Sequence, residues 1–136
     1  MNKEEELNNR LVQMQLLDAG MRSLEERQQM IIERVEELAR ARSSLDDLKD
    51  IKTSKIFLPL GAGAFVKGTV ESSNEIMMAV GGGAVVKVTL DGAKDNLDER
   101  EKEMKKALGE VLEQKKAVVD QFSKLQIEAE EISRKK

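Results

Sequence analysis

The sequence predicts an α+β fold, mainly α: an antiparallel two-helix coiled coil with two central β-hairpins whose strands pair with other subunits. Three observations carry this. First, Leu60-Gly-Ala-Gly-Ala-Phe-Val-Lys-Gly-Thr-Val70 matches Val80-Gly-Gly-Gly-Ala-Val-Val-Lys-Val-Thr-Leu90 at an offset of about twenty residues. Each copy reads as an apolar strand, a glycine corner and a second, alternating strand. Second, long heptad-patterned segments flank this block on both sides. Third, charged residues make up 36% of the chain and aromatics 2%, with no Trp and no Tyr. A compact globule of this size fills its core with more aromatics, so the composition points to long helices. The β block is apolar and too small to bury itself, which predicts an assembly.

The first helix is expected from about Glu4 to about Lys52. Its a positions are Leu7, Met14, Met21, Gln28, Val35 and Arg42; its d positions are Leu17, Leu24, Ile31, Leu38 and Leu45. The pattern falters at Arg42, where Ala41 and Leu48 suggest a shift of phase near the β block. Asn2 with Glu5 forms an N-terminal capping pair, and Glu4 to Glu6 suit the positive end of the helix dipole.

Four strands are expected next: Ile56–Leu60, Ala64–Glu71, Glu75–Val80 and Ala84–Leu90. Ser72-Ser73-Asn74 is a turn signal between the middle two. Ala64, Val66, Gly68 and Val70 share one strand face, with Phe65, Lys67, Thr69 and Glu71 on the other. Val86, Val88 and Leu90 likewise stand opposite Lys87 and Thr89. One buried and one wet face are therefore predicted. Pro59 cannot donate to a ladder, so the first strand is an edge or bends there. The glycines at 61, 63 and 81–83 read as corners needing positive φ or close backbone approach. No Gly-Lys-Ser/Thr follows them and no helix begins where a phosphate would sit, which argues against a phosphate loop.

The second helix is expected from about Asp91, its N-cap, to the C-terminus. Leu97, Met104, Val111, Val118, Leu125 and Ile132 fill every d position, while a holds Glu101, Leu108, Lys115, Phe122 and Ala129. Arg134, Lys135 and Lys136 suit the negative end of its dipole. Each helix would reach on the order of 70 Å at 1.5 Å per residue. Helices of matched length joined by a compact segment fold back antiparallel, bringing Glu4 to Glu6 close to Arg134, Lys135 and Lys136. Gly20 and Gly109 fall off the seams as points of softness, each costing about 1 kcal/mol relative to Ala. The chain reads as a single domain of residues 1–136: helix 1–52, hairpins 53–90, helix 91–136.

Several function classes are argued against. A net charge of −3 gives no electrostatic case for nucleic acid. The longest apolar runs are far short of a membrane span, and Met-Asn-Lys-Glu-Glu-Glu is not a signal peptide, so no membrane and a cytoplasmic location are expected. There is no Cys and no His, which removes disulfides, thiolate metal sites, the usual general base and the commonest metal ligand. No enzyme, metal or cofactor is predicted.

Ile56-Phe-Leu-Pro-Leu-Gly-Ala-Gly-Ala-Phe65 and Met78-Ala-Val-Gly-Gly-Gly-Ala84 resemble the two hairpin motifs of the prefoldin α subunit, in particular the archaeal type. The resemblance covers nearly the whole chain in layout; its specific part is the β block. It implies an intersubunit β-barrel platform, two α with four prefoldin β subunits, from which six coiled coils project. It also implies an ATP-independent holdase, which captures unfolded client proteins at the coil tips and passes them to a group II chaperonin. Another copy of this chain is thus a partner, and no cofactor is used. The acidic C-terminal tail of some members is missing. A purely structural assembly or filament protein is the alternative that the same strands and coils would serve.

Two sets of residues follow. For assembly they are Ile56, Leu58, Leu60, Phe65, Val66, Val70, Val80, Val86 and Val88, the apolar side chains of the hairpins. For clients they are Leu7, Leu11, Val12, Met14, Leu16, Phe122, Leu125, Ile127 and Ile132. Leu11 at e, Val12 at f, Leu16 at c and Ile127 at f lie off the seam, and a coil needs none of them to stay closed. Met14 adds an adaptable contact.

Overall fold

The computed structural model describes residues 2–49, 55–71 and 74–135. Helix α1 spans Lys3–Lys49 and α2 spans Leu90–Arg134. Between them lie β1 (Lys55–Gly61), β2 (Ala64–Thr69), β3 (Ile76–Gly81) and β4 (Ala84–Val88). Among the described residues each sheet has two antiparallel strands, β1 with β2 and β3 with β4. The expected end of the first helix at Lys52 and the turn residues Ser72 and Ser73 lie outside the described residues. Contacts divide the chain into two compact units, Met1–Val35 with Glu103–Lys136, and Glu36–Lys102.

In the first unit α1 and α2 run antiparallel, and the heptad seam explains their contact. Ile31, Val111 and Ile132 are buried; Leu7, Met14, Leu17, Met21, Leu24, Met104, Leu108, Val118, Phe122 and Leu125 are half-buried. A fully buried side chain of this size stabilises by about 1.5–3 kcal/mol. One seam layer is polar. Gln28 and Lys115, both at a positions, meet there, and Lys115 Nζ donates to Gln28 Oε1 at 2.7 Å. A polar pair within a seam costs stability but fixes register.

The expected charge pairing of the helix ends takes a different form. Lys3 Nζ donates to the backbone carbonyl of Lys135, and Arg10 pairs with Glu128 at 3.2 Å. Among the described residues Glu4, Glu5 and Glu6 make no ion pair with Arg134 or Lys135; Lys136 lies outside them. Long exposed side chains gain too little from such pairs to be held in one geometry. The capping expectation at this end holds: the Glu5 N–H donates to Asn2 Oδ1 at 2.8 Å.

In the second unit Leu38, Leu45, Leu90, Ala93 and Leu97 form the core. Arg42, where the heptad falters, is absorbed into a charge cluster. Its Nε reaches Asp98 at 2.9 Å, its Nη1 reaches Asp46 at 2.8 Å, and Lys94 Nζ lies 2.9 Å from Asp46. The hydrogen bond from Lys94, followed by that from Arg42, holds the Asp46 carboxyl below the usual carboxylate range. Its contribution to stability is therefore present above the ordinary carboxylate pKa and is lost as pH falls through the lowered value.

The N-cap of α2 is Thr89, not Asp91. The Gly92 N–H donates to Thr89 Oγ1 at 3.0 Å, and the Ala93 N–H donates to the Thr89 carbonyl at 2.9 Å. The Leu90 N–H donates to Asn74 Oδ1 at 3.2 Å. Asp91 falls in the first helical turn, where its charge still suits the dipole. The Thr89 hydroxyl, two residues earlier, takes the capping role expected of the Asp91 carboxylate by accepting from the Gly92 N–H.

Candidate functional site

Both hairpins are built around the same corner. Register slips by one residue between Pro59 and Gly61, and again between Ala79 and Gly81, so each first strand carries a bulge next to its turn. Gly61 and Gly81 have φ of 108° and 104°; Gly63 and Gly83 have 79° and 78°. The residue between them is also left-handed: Gly82 at 60° in one hairpin, Ala62 at 51° in the other. Two successive positive φ values match the twist of the flanking strands, which is why the sequence spends five glycines here. Ala62 departs from that rule, at a cost of about 1 kcal/mol.

The expectation of one buried and one wet face is met only in part. Ile56, Gly68 and Val70, with Ile76, Met78 and Val88, are half-buried, and they belong to the face predicted to be buried. Toward the turns both faces are open. Phe57 is 68% exposed, Leu60 69% and Phe65 63%; Leu58, Val66, Val80 and Val86 are exposed as well. A two-stranded ribbon has no second layer to cover either face. Phe57, Met77 and Val85 were absent from the expected assembly set, yet all three are exposed. The signal was available: the register sets Phe57 across from Lys67 and Met77 across from Lys87, apolar residues on the face that alternation assigned to water.

The second hairpin is tied to its surroundings. Arg100 Nη2 donates to the Ala79 carbonyl at 2.7 Å, and Glu75 pairs with Lys87 at 2.6 Å. That pairing raises the Lys87 pKa above its ordinary value, chiefly through the hydrogen bond. Nothing in the sequence pattern marked Arg100 for this role.

The other expected surface lies in the first unit. Leu11, Val12, Leu16 and Ile127 are all exposed, Leu16 at 69% and Ile127 at 57%. The seam residues Leu7, Met14, Phe122 and Leu125 are half-buried and Ile132 is buried, so those five close the coil first. Open grooves flank the seam. One of about 630 Å³ brings together Leu16, Leu17 and Leu125 under Arg10, Lys124 and Glu128. Another of about 340 Å³ is lined by Leu11, Met14, Gln15, Asp18 and Phe122. Leu112 and Val119 add exposed apolar surface that the sequence reading passed over; both stand at e, seven residues apart. Among the described residues no group of carboxylates is arranged to hold a metal, and no helix is long and apolar enough to cross a membrane.

The family model for the prefoldin subunit matches residues 17–135. The prefoldin subunit alpha of Methanobrevibacter smithii is 26% identical over 91 residues, covering 67% of this chain and 62% of that protein. That of Methanococcus vannielii is 35% identical over 74 residues, covering 54% and 49%. The matched stretches thus span 62% and 49% of those relatives' length, less than two thirds in each case. A cryo-EM structure of filamentous PFD from Methanocaldococcus jannaschii superposes with a TM-score of 0.59 at 17% identity, over 94% of this chain and 98% of that one; at that identity it speaks for the fold alone. The chain belongs to the prefoldin family, and its relatives mark it as alpha type.

Proposed function

We propose that this chain is a subunit of an ATP-independent holdase. The observation that carries the reading is the exposure of Leu11, Val12, Leu16 and Ile127 beside a seam that closes without them. Several weak apolar contacts on a helical surface suit a non-native chain, because they impose no fixed geometry on it and act together. In this reading the hairpins join copies of the chain to prefoldin β subunits, two α with four β, in an intersubunit β-barrel platform. Unfolded clients held on the coils pass to a group II chaperonin in the cytoplasm. No nucleotide and no catalytic step are involved.

A second reading is a filament-forming scaffold without client transfer. The exposed apolar side chains of the two-stranded hairpins would serve it equally.

One experiment separates the two. Leu11→Ser, Val12→Ser, Leu16→Ser and Ile127→Ser are combined in a chain assembled with its β partner. Light scattering of a heat-denatured client is the readout. The wild-type assembly should suppress aggregation and the quadruple variant should lose most of that effect, at unchanged assembly mass. Full suppression by the variant would remove these residues as the client surface. No suppression by the wild type would leave the scaffold.

A further inference from the structure

We propose that the groove of about 630 Å³ beside the seam takes a client segment as an extended strand, and that the carboxamides of Gln13 and Gln121 recognise its backbone. This rests on the holdase reading above and names what that site discriminates.

Gln13 stands on α1 and Gln121 on α2, both at g positions, and both line this groove with Leu17 and Leu125 between them. Both glutamines are exposed. Among the described residues neither amide has a hydrogen-bond partner. The charged residues of the lining differ. Arg10 and Glu128 hold each other at 3.2 Å, and the Lys124 ammonium offers donors alone. A peptide backbone presents donors and acceptors together. Only the two carboxamides answer both, each with an NH₂ and a carbonyl oxygen.

The Arg10–Glu128 pair sets the level of one helix against the other. Counted from it at 1.5 Å per residue, Gln13 lies about 4.5 Å and Gln121 about 10.5 Å along the groove, in the same direction. The two amides are thus about 6 Å apart along its length and on opposite walls. An extended chain rises about 3.4 Å per residue, turns successive backbone groups to opposite edges and alternates its side chains. About three residues of such a chain span both amides. Its edges face Gln13 and Gln121 while every second side chain lies on Leu17 and Leu125. A helical segment could not use them, because its own N–H and C=O groups are already paired.

Apolar area alone does not tell a non-native chain from an apolar patch on a folded surface. Folded proteins pair more than about nine in ten of their buried backbone groups. Unpaired backbone beside apolar side chains is therefore a mark of an unfolded segment. The carboxamides add that second criterion. Being neutral, they do so without selecting the client's charge.

The test combines Gln13→Met and Gln121→Met in a chain assembled with its β partner. Methionine keeps the side-chain length and the helix propensity and makes the groove more apolar. The probe is a short, unstructured, fluorescently labelled peptide with leucine at every second position and serine between. Its copy is N-methylated at the serines, which removes their backbone donors. Fluorescence anisotropy reads binding. The methionine variant should bind the parent peptide about twenty-five-fold more weakly than the wild type does, two lost amide contacts at roughly fivefold each. The wild type should prefer the parent to the methylated copy, and the variant should lose that preference. Circular dichroism and assembly mass should not change, since both glutamines are exposed. Unchanged or tighter binding by the variant overturns the assignment, as does equal discrimination between the peptides by both proteins. A wild type without preference for the parent overturns it with no variant needed. The aggregation assay with the four serine substitutions decides the holdase reading separately, and that reading stands if only the amide recognition fails.

Discussion

The helices of the first unit and the hairpins of the second both expose apolar surface, but of different kinds. On α1 and α2 only side chains are exposed, because every mid-helix N–H and C=O is spent inside its own helix. Leu11, Leu16 and Ile127 offer area without direction. On the hairpins the backbone is exposed as well, since among the described residues each sheet has only two strands and each strand has one edge that no other strand pairs. Phe57, Leu60 and Phe65 come with a row of donors and acceptors that admits one register. The first kind of surface suits adaptable capture; the second suits permanent, specific pairing.

The largest effect should come from breaking the directional surface. Val66→Asp with Val86→Asp would place unpaired carboxylates where the proposed assembly would bury apolar side chains, at a cost of several kcal/mol. Mass measurement should show loss of the assembly while far-UV circular dichroism retains its helical signal. A double variant of parent mass would end the distinction drawn between the two surfaces.

A smaller effect is expected inside the coil, where Gln28→Leu removes the acceptor of Lys115. Stranding that half-buried ammonium should cost about 1–3 kcal/mol in urea unfolding. Adding Lys115→Leu should recover the loss, since an apolar pair of similar volume is often more stable than a buried polar one. Failure to recover would mean that the pair contributes more than register.

The smallest effect sharpens the comparison between the hairpins themselves. Ala62→Gly should stabilise by about 0.5–1 kcal/mol, relieving the one left-handed alanine. Gly82→Ala should cost about as much. Equal melting curves for both variants would show that the corners are not equivalent.

Much of this was legible before any coordinates. A seven-residue apolar period identifies helices because it has no other stable use. A twenty-residue repeat with glycines at matching places identifies two hairpins with the same turn. The misreadings share a cause. Asp91 was expected to cap α2 because carboxylates often do, but the backbone turned two residues earlier and Thr89 was in reach. Phe57 and Met77 were missing from the expected assembly set, and alternation alone does not reveal that toward the turns both faces stand open.

By itself the sequence determined the elements, their seam and the glycine corners, because these depend on local propensity and on periods that neighbouring residues impose on one another. Only the tertiary structure decided which groups remain unsatisfied once those elements meet. That Arg100 reaches the Ala79 carbonyl and that Lys115 finds Gln28 depend on residues far apart in the chain. Contacts of that kind are set by packing geometry, and no local pattern encodes them.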